Sequence, residues 1–195
     1  GIDHIMYKPN FHLMKKLFAV SARENLFEKK SLERASSICS ACMHLVKLLI
    51  LKLAFEKRIP FIGYGWSPGQ VPIQSSVMKV GAAFIKTTQN ILFAALNERF
   101  GDEVKPFFLD TGLLSGTNNS VYNIFPLAFL DYDEKKIYES IRELGWDPPQ
   151  DTDSNSTNCL LNSFAIEVHQ EAYGFHPYAL EIAGLVRRGV LSRDE

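Results

Sequence analysis

The pattern of apolar and polar residues predicts helices over most of the chain. The clearest helix covers residues 41–58, where leucines and other apolar side chains occupy most of the helical circumference. Such a pattern predicts a largely buried helix. Lys57 and Arg58 stand where a helix C-terminus favours cations, and Pro60 then prevents continuation. Apolar residues at helical spacing predict further helices over residues 10–30, 77–100, 131–146, 159–173 and 177–188.

Three shorter apolar stretches predict strands. The sequence FIGYG at residues 61–65 follows the apolar helix directly, and strands are also predicted at residues 3–8 and at the start of 121–130. A helix followed by a short apolar strand and a glycine turn is typical of a parallel α/β sheet. We therefore expect an α/β fold: a parallel sheet flanked by helices over residues 1–130, then a helical C-terminal region over 131–195.

Composition narrows the class of protein. The chain has 195 residues, 46% of them hydrophobic and 22% charged, with a net charge of −1. This balance offers no overall basic field for nucleic acid. Three cysteines argue against a disulfide scaffold and favour a reducing, cytoplasmic compartment. No leader segment is recognised, and the apolar run 45–55, interrupted by two lysines, is expected to be too short to cross a membrane.

The three cysteines are the main candidates for chemistry. Cys39 and Cys42 precede the apolar helix, and Cys159 follows a polar segment just before another predicted helix. A Cys-x-x-Cys pair can be a redox dithiol, half of a metal or cluster site, or ordinary core. Because all three cysteines stand at predicted loop–helix junctions, a three-thiolate site fits better than a redox pair.

The identity of the bound metal stays open at this point. Zinc would need a fourth protein ligand, for which His44, His169 and His176 are candidates. An iron–sulfur cluster with three thiolate ligands would leave one iron open.

A second candidate site is the glycine turn after the predicted strand at 61–65. Gly63 and Gly65 would let a ligand approach the backbone closely at the carboxyl end of the sheet. Trp66 follows them as either a lid or a core residue.

These motifs occur in a familiar order. The segment CSACMHLVKLLILKLAFEKRIPFIGYGWSPGQ resembles the Cys-x-x-Cys, helix and glycine loop of PP-loop ATP pyrophosphatases. The nearest likeness is to N-acetyl sugar amidotransferases and cluster-dependent tRNA thiolation enzymes. GIDHIMYKPN is similar to the strand that follows the PP-loop unit, and NIFPLAFLDYDEKKIYESIRELGW is similar to the element after the last core strand. Through these short motifs the resemblance extends over most of residues 1–175.

The resemblance implies an adenine nucleotide alpha-hydrolase-like, Rossmann-like fold. It also implies a transferase or ligase that uses ATP with Mg²⁺, forms AMP and pyrophosphate, and transfers sulfur or nitrogen to a carbonyl or amide carbon. By this resemblance the adenine would lie near Gly63, Gly65 and Trp66. Cys39, Cys42 and Cys159 would hold a [4Fe–4S] cluster, or alternatively Zn²⁺.

The resemblance is incomplete, because the pyrophosphate-binding SGGxDS motif does not occur in the 195 residues. We expect it upstream, so that this chain is the C-terminal portion of the enzyme. The expected substrate is a small molecule or a tRNA, without a membrane partner, and a homodimer is the assembly considered. The alternatives are a sugar amidotransferase-like enzyme without a cluster and a non-catalytic binding or scaffold domain that has lost its nucleotide site.

Overall fold

The computed structural model describes residues 2–24, 26–114, 120–152 and 159–194. This part of the chain is mostly helical, with a small sheet. The helices are α1 (Phe11–Arg23), α2 (Ser37–Glu56), α3 (Ala82–Phe100), α4 (Thr111–Leu114), α5 (Glu134–Glu143), α6 (Asn162–Tyr173) and α7 (Ala179–Arg187). The strands are β1 (Phe61–Gly63), β2 (Val77–Val80) and β3 (Val121–Ile124).

The apolar helix α2 begins earlier than its leucine pattern predicts. Ser36 caps it, because the Ser36 hydroxyl accepts a hydrogen bond from the Cys39 amide at 3.1 Å. The apolar segment was expected to be too short to cross a membrane, but α2 has 20 residues, so this expectation about its length was wrong. Among the described residues, α2 alone is long and apolar enough to cross one, with 33% of the segment buried. Since α2 packs against α1, α6 and the sheet, we interpret it as the central helix of the fold.

The sheet is mixed, which corrects the prediction of a parallel sheet. Its strand order is β1-β3-β2, with β1 parallel and β2 antiparallel to β3. The predicted helix over 77–100 was wrong at its start, because residues 77–80 pair with β3. Gly81, in an extended conformation, separates this strand from α3.

The predicted strand at residues 3–8 was wrong. These residues have no regular secondary structure, and the side chains of Ile5 and Met6 are 55% and 71% exposed. A short alternating segment becomes a strand only when a neighbouring strand supplies backbone hydrogen-bond partners.

Helix α2 covers one face of the sheet. Ile62 and Val121 are buried from that face against Ala54 of α2. On the opposite face, Phe61 and Val77 are 58% and 53% exposed. The expected helical cover on both faces is therefore present on one face only within the described ranges.

The C-terminal helices agree closely with the sequence pattern. Asp133 caps α5 through a 3.2 Å hydrogen bond from the Lys136 amide, and Gly145 ends it with a φ of +85°. Gly174 ends α6 in the same left-handed region. Helix α6 contacts α2, so the region that carries Cys159 lies against the Cys-x-x-Cys helix. The division after residue 130 stays a prediction, and residues 153–158 of the polar loop lie outside the described ranges.

Candidate functional site

Cys39 and Cys42 lie within the first two turns of α2 rather than in a loop before it. Their spacing of three residues places both side chains on one side of the helix. Both are partly buried. The Cys-x-x-Cys pair is therefore held rigidly by a capped helix N-terminus.

A buried asparagine connects this pair to α6. Asn162, at the start of α6, is 2% exposed, and its Oδ1 accepts hydrogen bonds from Cys39 Sγ at 3.6 Å and Tyr178 Oη at 2.9 Å. The backbone N–H of Asn162 donates a hydrogen bond to the backbone carbonyl of Cys159 at 3.1 Å. These bonds hold the backbone of Cys159 beside the Cys-x-x-Cys pair. Nothing in the sequence distinguishes Asn162 from other polar residues, so sequence analysis missed it.

The thiols influence one another electrostatically. Burial raises the pKa of Cys39, and the nearby Cys159 raises it further, while hydrogen bonds from Ser36 and Tyr178 lower it. Burial also raises the pKa of Cys42, followed by smaller effects of Cys159 and Cys39. The structure therefore places the three cysteines near one another and favours neutral thiols for the pair in the absence of a cation.

Proximity alone does not make a metal site. In the described ranges, no group of three or more histidine, cysteine and acidic side chains is arranged to hold a metal ion. Of the candidate fourth ligands, His44 packs on Phe27, and His169 packs on Tyr173 and Phe175. His176 accepts a hydrogen bond from the Tyr178 amide at Nδ1. The metal site at Cys39, Cys42 and Cys159 stays a prediction.

An aromatic cluster lies at the carboxyl ends of the two parallel strands. Trp66 follows β1 and stacks on Phe125, which follows β3, with ring centroids 5.1 Å apart and an interplanar angle of 18°. Tyr64 stacks on the same Phe125 ring at 5.4 Å. This edge of a parallel sheet is where α/β proteins commonly bind ligands.

A lysine of α2 completes the cluster. Lys47 Nζ lies 4.4 Å from the centre of the Trp66 ring, a cation–π contact. Burial lowers the pKa of Lys47. Lys47, one of the two lysines within the apolar run, was the available sequence signal, but it was taken only as an interruption of that run.

Gly63 and Gly65 border open space among the described residues. A Cβ atom at either position would meet nothing within 4 Å, and neither residue has a positive φ. Internal packing therefore does not explain these glycines. Their role in ligand binding stays a prediction.

Gly69 of the same loop has a packing role. A Cβ there would lie 2.7 Å from the Glu181 carbonyl and 2.8 Å from a Leu185 side-chain carbon, so α7 can approach this closely only because residue 69 is glycine. Ser67 Oγ donates to Glu181 at 2.9 Å, and Arg188 donates to the Pro68 carbonyl. Helix α7 therefore fixes the loop that begins at Trp66.

The two candidate sites are neighbours along α2. Cys42 and Lys47 are five residues apart, which is about 7.5 Å of rise along a helix. Helix α2 precedes β1 and packs on it. The N-terminal end of α2 therefore lies at the same end of the sheet as the carboxyl end of β1.

Comparison with known proteins gives one partial relative. The chain is 36% identical over 69 residues to an uncharacterized protein of Methanocaldococcus jannaschii. The match covers 35% of the present chain and 24% of that protein's length. No family model matches the chain, and no solved structure matches it.

The hydrogen bond at Cys39 gives a testable pH dependence. Replacing Tyr178 by Phe removes a hydroxyl that donates to Asn162 Oδ1 and can turn to the Cys39 thiolate, where it lowers the pKa of Cys39. We therefore expect the alkylation of Cys39 to shift to higher pH, because only the thiolate reacts. Rates measured at Cys39 by peptide mass spectrometry over a pH series test this.

The matched control is Tyr122→Phe, in the sheet, which should leave the profile of Cys39 unchanged. An unaltered profile in Tyr178→Phe, or an equal shift in the control, would contradict the assigned contact.

Proposed function

We propose that the chain is the C-terminal portion of a PP-loop-type enzyme that adenylates a carbonyl or amide oxygen with ATP and Mg²⁺, breaking the bond between the α- and β-phosphates and releasing pyrophosphate. A sulfur or nitrogen nucleophile then displaces AMP from the activated carbon. The observation that supports the proposal is the position of the Cys-x-x-Cys pair on α2, where Cys39 is hydrogen-bonded to Asn162 of α6 and the aromatic cluster lies further along the same helix. The proposal includes a Rossmann-like parent fold and a cytoplasmic enzyme without a membrane partner.

In this proposal the aromatic cluster binds adenine. Trp66 and Tyr64 are half-buried aromatic side chains, and open space at Gly63 and Gly65 would let the nucleotide approach the backbone. Lys47, above the Trp66 ring, would attract the negative charge of the nucleotide. Excluding water from this region would protect the reactive adenylate from hydrolysis.

In the same proposal Cys39, Cys42 and Cys159 hold a [4Fe–4S] cluster. The chemistry of these residues suits such a group, because cysteine thiolates are the usual cluster ligands and burial of the pair disfavours thiolates without a compensating cation. Asn162 adds a second indication: in the described part of the chain its buried Nδ2 has no hydrogen-bond partner. If the carboxamide turned so that Nδ2 rather than Oδ1 faced Cys39, it would donate to the negatively charged sulfurs of a cluster. When bound, a cluster with three thiolate ligands leaves one iron open to a further ligand.

One observation favours an alternative without a cluster. Among the described residues no ligand group is ready-made for a metal, and the pKa values of Cys39 and Cys42 are raised. A sugar amidotransferase-like enzyme with neutral thiols would agree with this. The same alternative also allows zinc at the cysteines, which these two observations do not favour. The enzyme with a cluster and the amidotransferase-like enzyme both keep the nucleotide site at Trp66. A non-catalytic scaffold domain would lack this site.

Metal analysis separates the cluster from its alternative. We expect the protein purified anaerobically, or reconstituted with iron and sulfide, to contain about four irons and four sulfides per chain. Each of Cys39→Ser, Cys42→Ser and Cys159→Ser should lower the iron content substantially, whereas Ser140→Ala on exposed α5 should not. A colourless, iron-free chain would refute the cluster, and about one zinc per chain would favour the alternative.

Tryptophan fluorescence tests the nucleotide site. In Trp146→Phe, Trp66 is the only tryptophan, and we expect AMP to quench its emission saturably by stacking. Adding Phe125→Leu should weaken the interaction about two- to tenfold, since aromatic stacking contributes about 0.5–1.5 kcal/mol. The control Phe84→Leu, exposed on α3, should not alter it. Absence of quenching by millimolar AMP would reject adenine binding at Trp66.

A further inference from the structure

A half-buried carboxylate of α7 contacts the Trp66 loop, which comprises residues 66–70. Glu181, in the first turn of α7, accepts a hydrogen bond from Ser67 Oγ at 2.9 Å. The side chain of Gln70 is hydrogen-bonded to the same carboxylate. The side-chain oxygen of Gln70 in turn accepts a hydrogen bond from the backbone N–H of Ser67 at 2.9 Å. Glu181 therefore binds the loop at two points that are also joined to each other.

The surroundings of Glu181 depend on the loop. Burial raises the pKa of Glu181, whereas the hydrogen bonds from Ser67 and Gln70 and the positive charge of Arg34 lower it. A partly desolvated carboxylate needs hydrogen-bond donors, because leaving it without them costs free energy. Since two donors come from the Trp66 loop, a loop that moved away from α7 would leave Glu181 without them.

Close backbone packing adds to these hydrogen bonds. Gly69 lies so near α7 that a Cβ atom there would come within 2.7 Å of the Glu181 carbonyl oxygen. On the facing side, a Cβ atom at Gly184 would lie 3.5 Å from the Gly69 carbonyl oxygen, which is an ordinary contact. Arg188 donates to the Pro68 carbonyl. The loop therefore contacts α7 over about two helical turns.

The first residue of this loop is the tryptophan of the proposed nucleotide site. Trp66 directly precedes Ser67, and its ring stacks on Phe125 with centroids 5.1 Å apart. Each residue has only two soft backbone dihedrals, so fixing Ser67 restricts the backbone of Trp66. A binding group that is already held in its bound orientation costs less conformational entropy when the ligand binds. The contact with α7 can therefore influence how well Trp66 binds a ligand.

We infer that Glu181 is the positioning residue of the Trp66 loop: through Ser67 and Gln70 it holds Trp66 in the orientation that the nucleotide site uses. The role in nucleotide binding rests on the proposed function, whereas the position of the loop can be measured without any nucleotide. Because Glu181 acts through the loop, its removal should alter both the environment of Trp66 and the affinity for AMP.

Acrylamide quenching of Trp66 tests the positioning directly. In the Trp146→Phe background, where Trp66 is the only tryptophan, quenching reports how exposed its ring is, well below the thermal midpoint of each variant. We expect Glu181→Ala to increase the quenching. Glu181→Gln should restore the unaltered value, because its carboxamide oxygen can still accept the hydrogen bond from Ser67. The matched control, Glu139→Ala on exposed α5, should change nothing.

Further variants identify the route from α7 to the ring. Ser67→Ala should increase the quenching, and the double variant Ser67→Ala/Glu181→Ala should increase it no more than Glu181→Ala alone, since both substitutions remove the same hydrogen bond. Gly69→Ala should also increase the quenching, because its Cβ would push the loop away from α7. Gly184→Ala, with its ordinary contact distance, is the matched control and should leave the quenching unchanged.

An AMP titration of the same variants extends the test to the ligand. We expect Glu181→Ala to weaken the binding of AMP about tenfold, as for the loss of one hydrogen bond to a charged group. Glu181→Gln should restore most of the affinity, and Glu139→Ala should bind as the unaltered chain does. If AMP binds to no variant and not to the unaltered chain, adenine binding at Trp66 is refuted, while increased quenching in Glu181→Ala would still support the positioning of the loop.

Two results would overturn the inference. Unchanged acrylamide quenching in Glu181→Ala would show that the loop keeps its position without Glu181. An increase of the same size in Glu181→Gln would show that hydrogen bonding to Ser67 does not position the loop.

Discussion

The burial of α2 is the constraint on which the rest of the structure depends. Its apolar surface is too wide to be covered by one neighbour, so α1, α6 and the sheet all pack against it. The C-terminal half contacts the sheet through Ala54 and Phe55, while the N-terminal half carries Cys39 and Cys42. Packing the helix therefore also sets where the thiols stand relative to the carboxyl ends of β1 and β3.

Hydrogen bonds involving α6 and Tyr178 fix the surroundings of the cysteines in the N-terminal half of α2. The buried carboxamide of Asn162 accepts hydrogen bonds from Cys39 and Tyr178 and anchors the start of α6. Further along the same helix, His169 lies close to Ser37 in the first turn of α2. Helix α6 thus brings polar groups to two different faces of α2, one beside the cysteines and one beside the capped first turn.

The sequence predicted the elements whose signals are local. Asp133 and Gly145 mark the ends of α5 by side-chain capping and by positive φ, and periodicity located the other helices, but the Ser36 cap that starts α2 was missed. The strand at 77–80 was missed because its apolar residues continue the helical pattern of α3, and only Gly81 separates them. The mixed sheet was not predictable, because strand direction depends on pairing between residues far apart in the chain.

For the candidate site too, the sequence indicated the regions but not the contacts between them. Cysteine spacing and the glycine turn identified the two regions, but Lys47, Phe125 and Asn162 act through contacts across 19 to 123 residues of sequence. No local pattern records such contacts. The raised pKa values of Cys39 and Cys42 likewise follow from burial and mutual proximity, which only the fold supplies.

The convergence of the three cysteines can be measured directly with a short bifunctional thiol reagent on the metal-free chain at alkaline pH. Peptide mass spectrometry would then identify which cysteines are joined. The structure predicts intramolecular links from Cys159 to Cys39 or Cys42. Links between Cys39 and Cys42 alone, with Cys159 singly modified, would contradict a common thiol site.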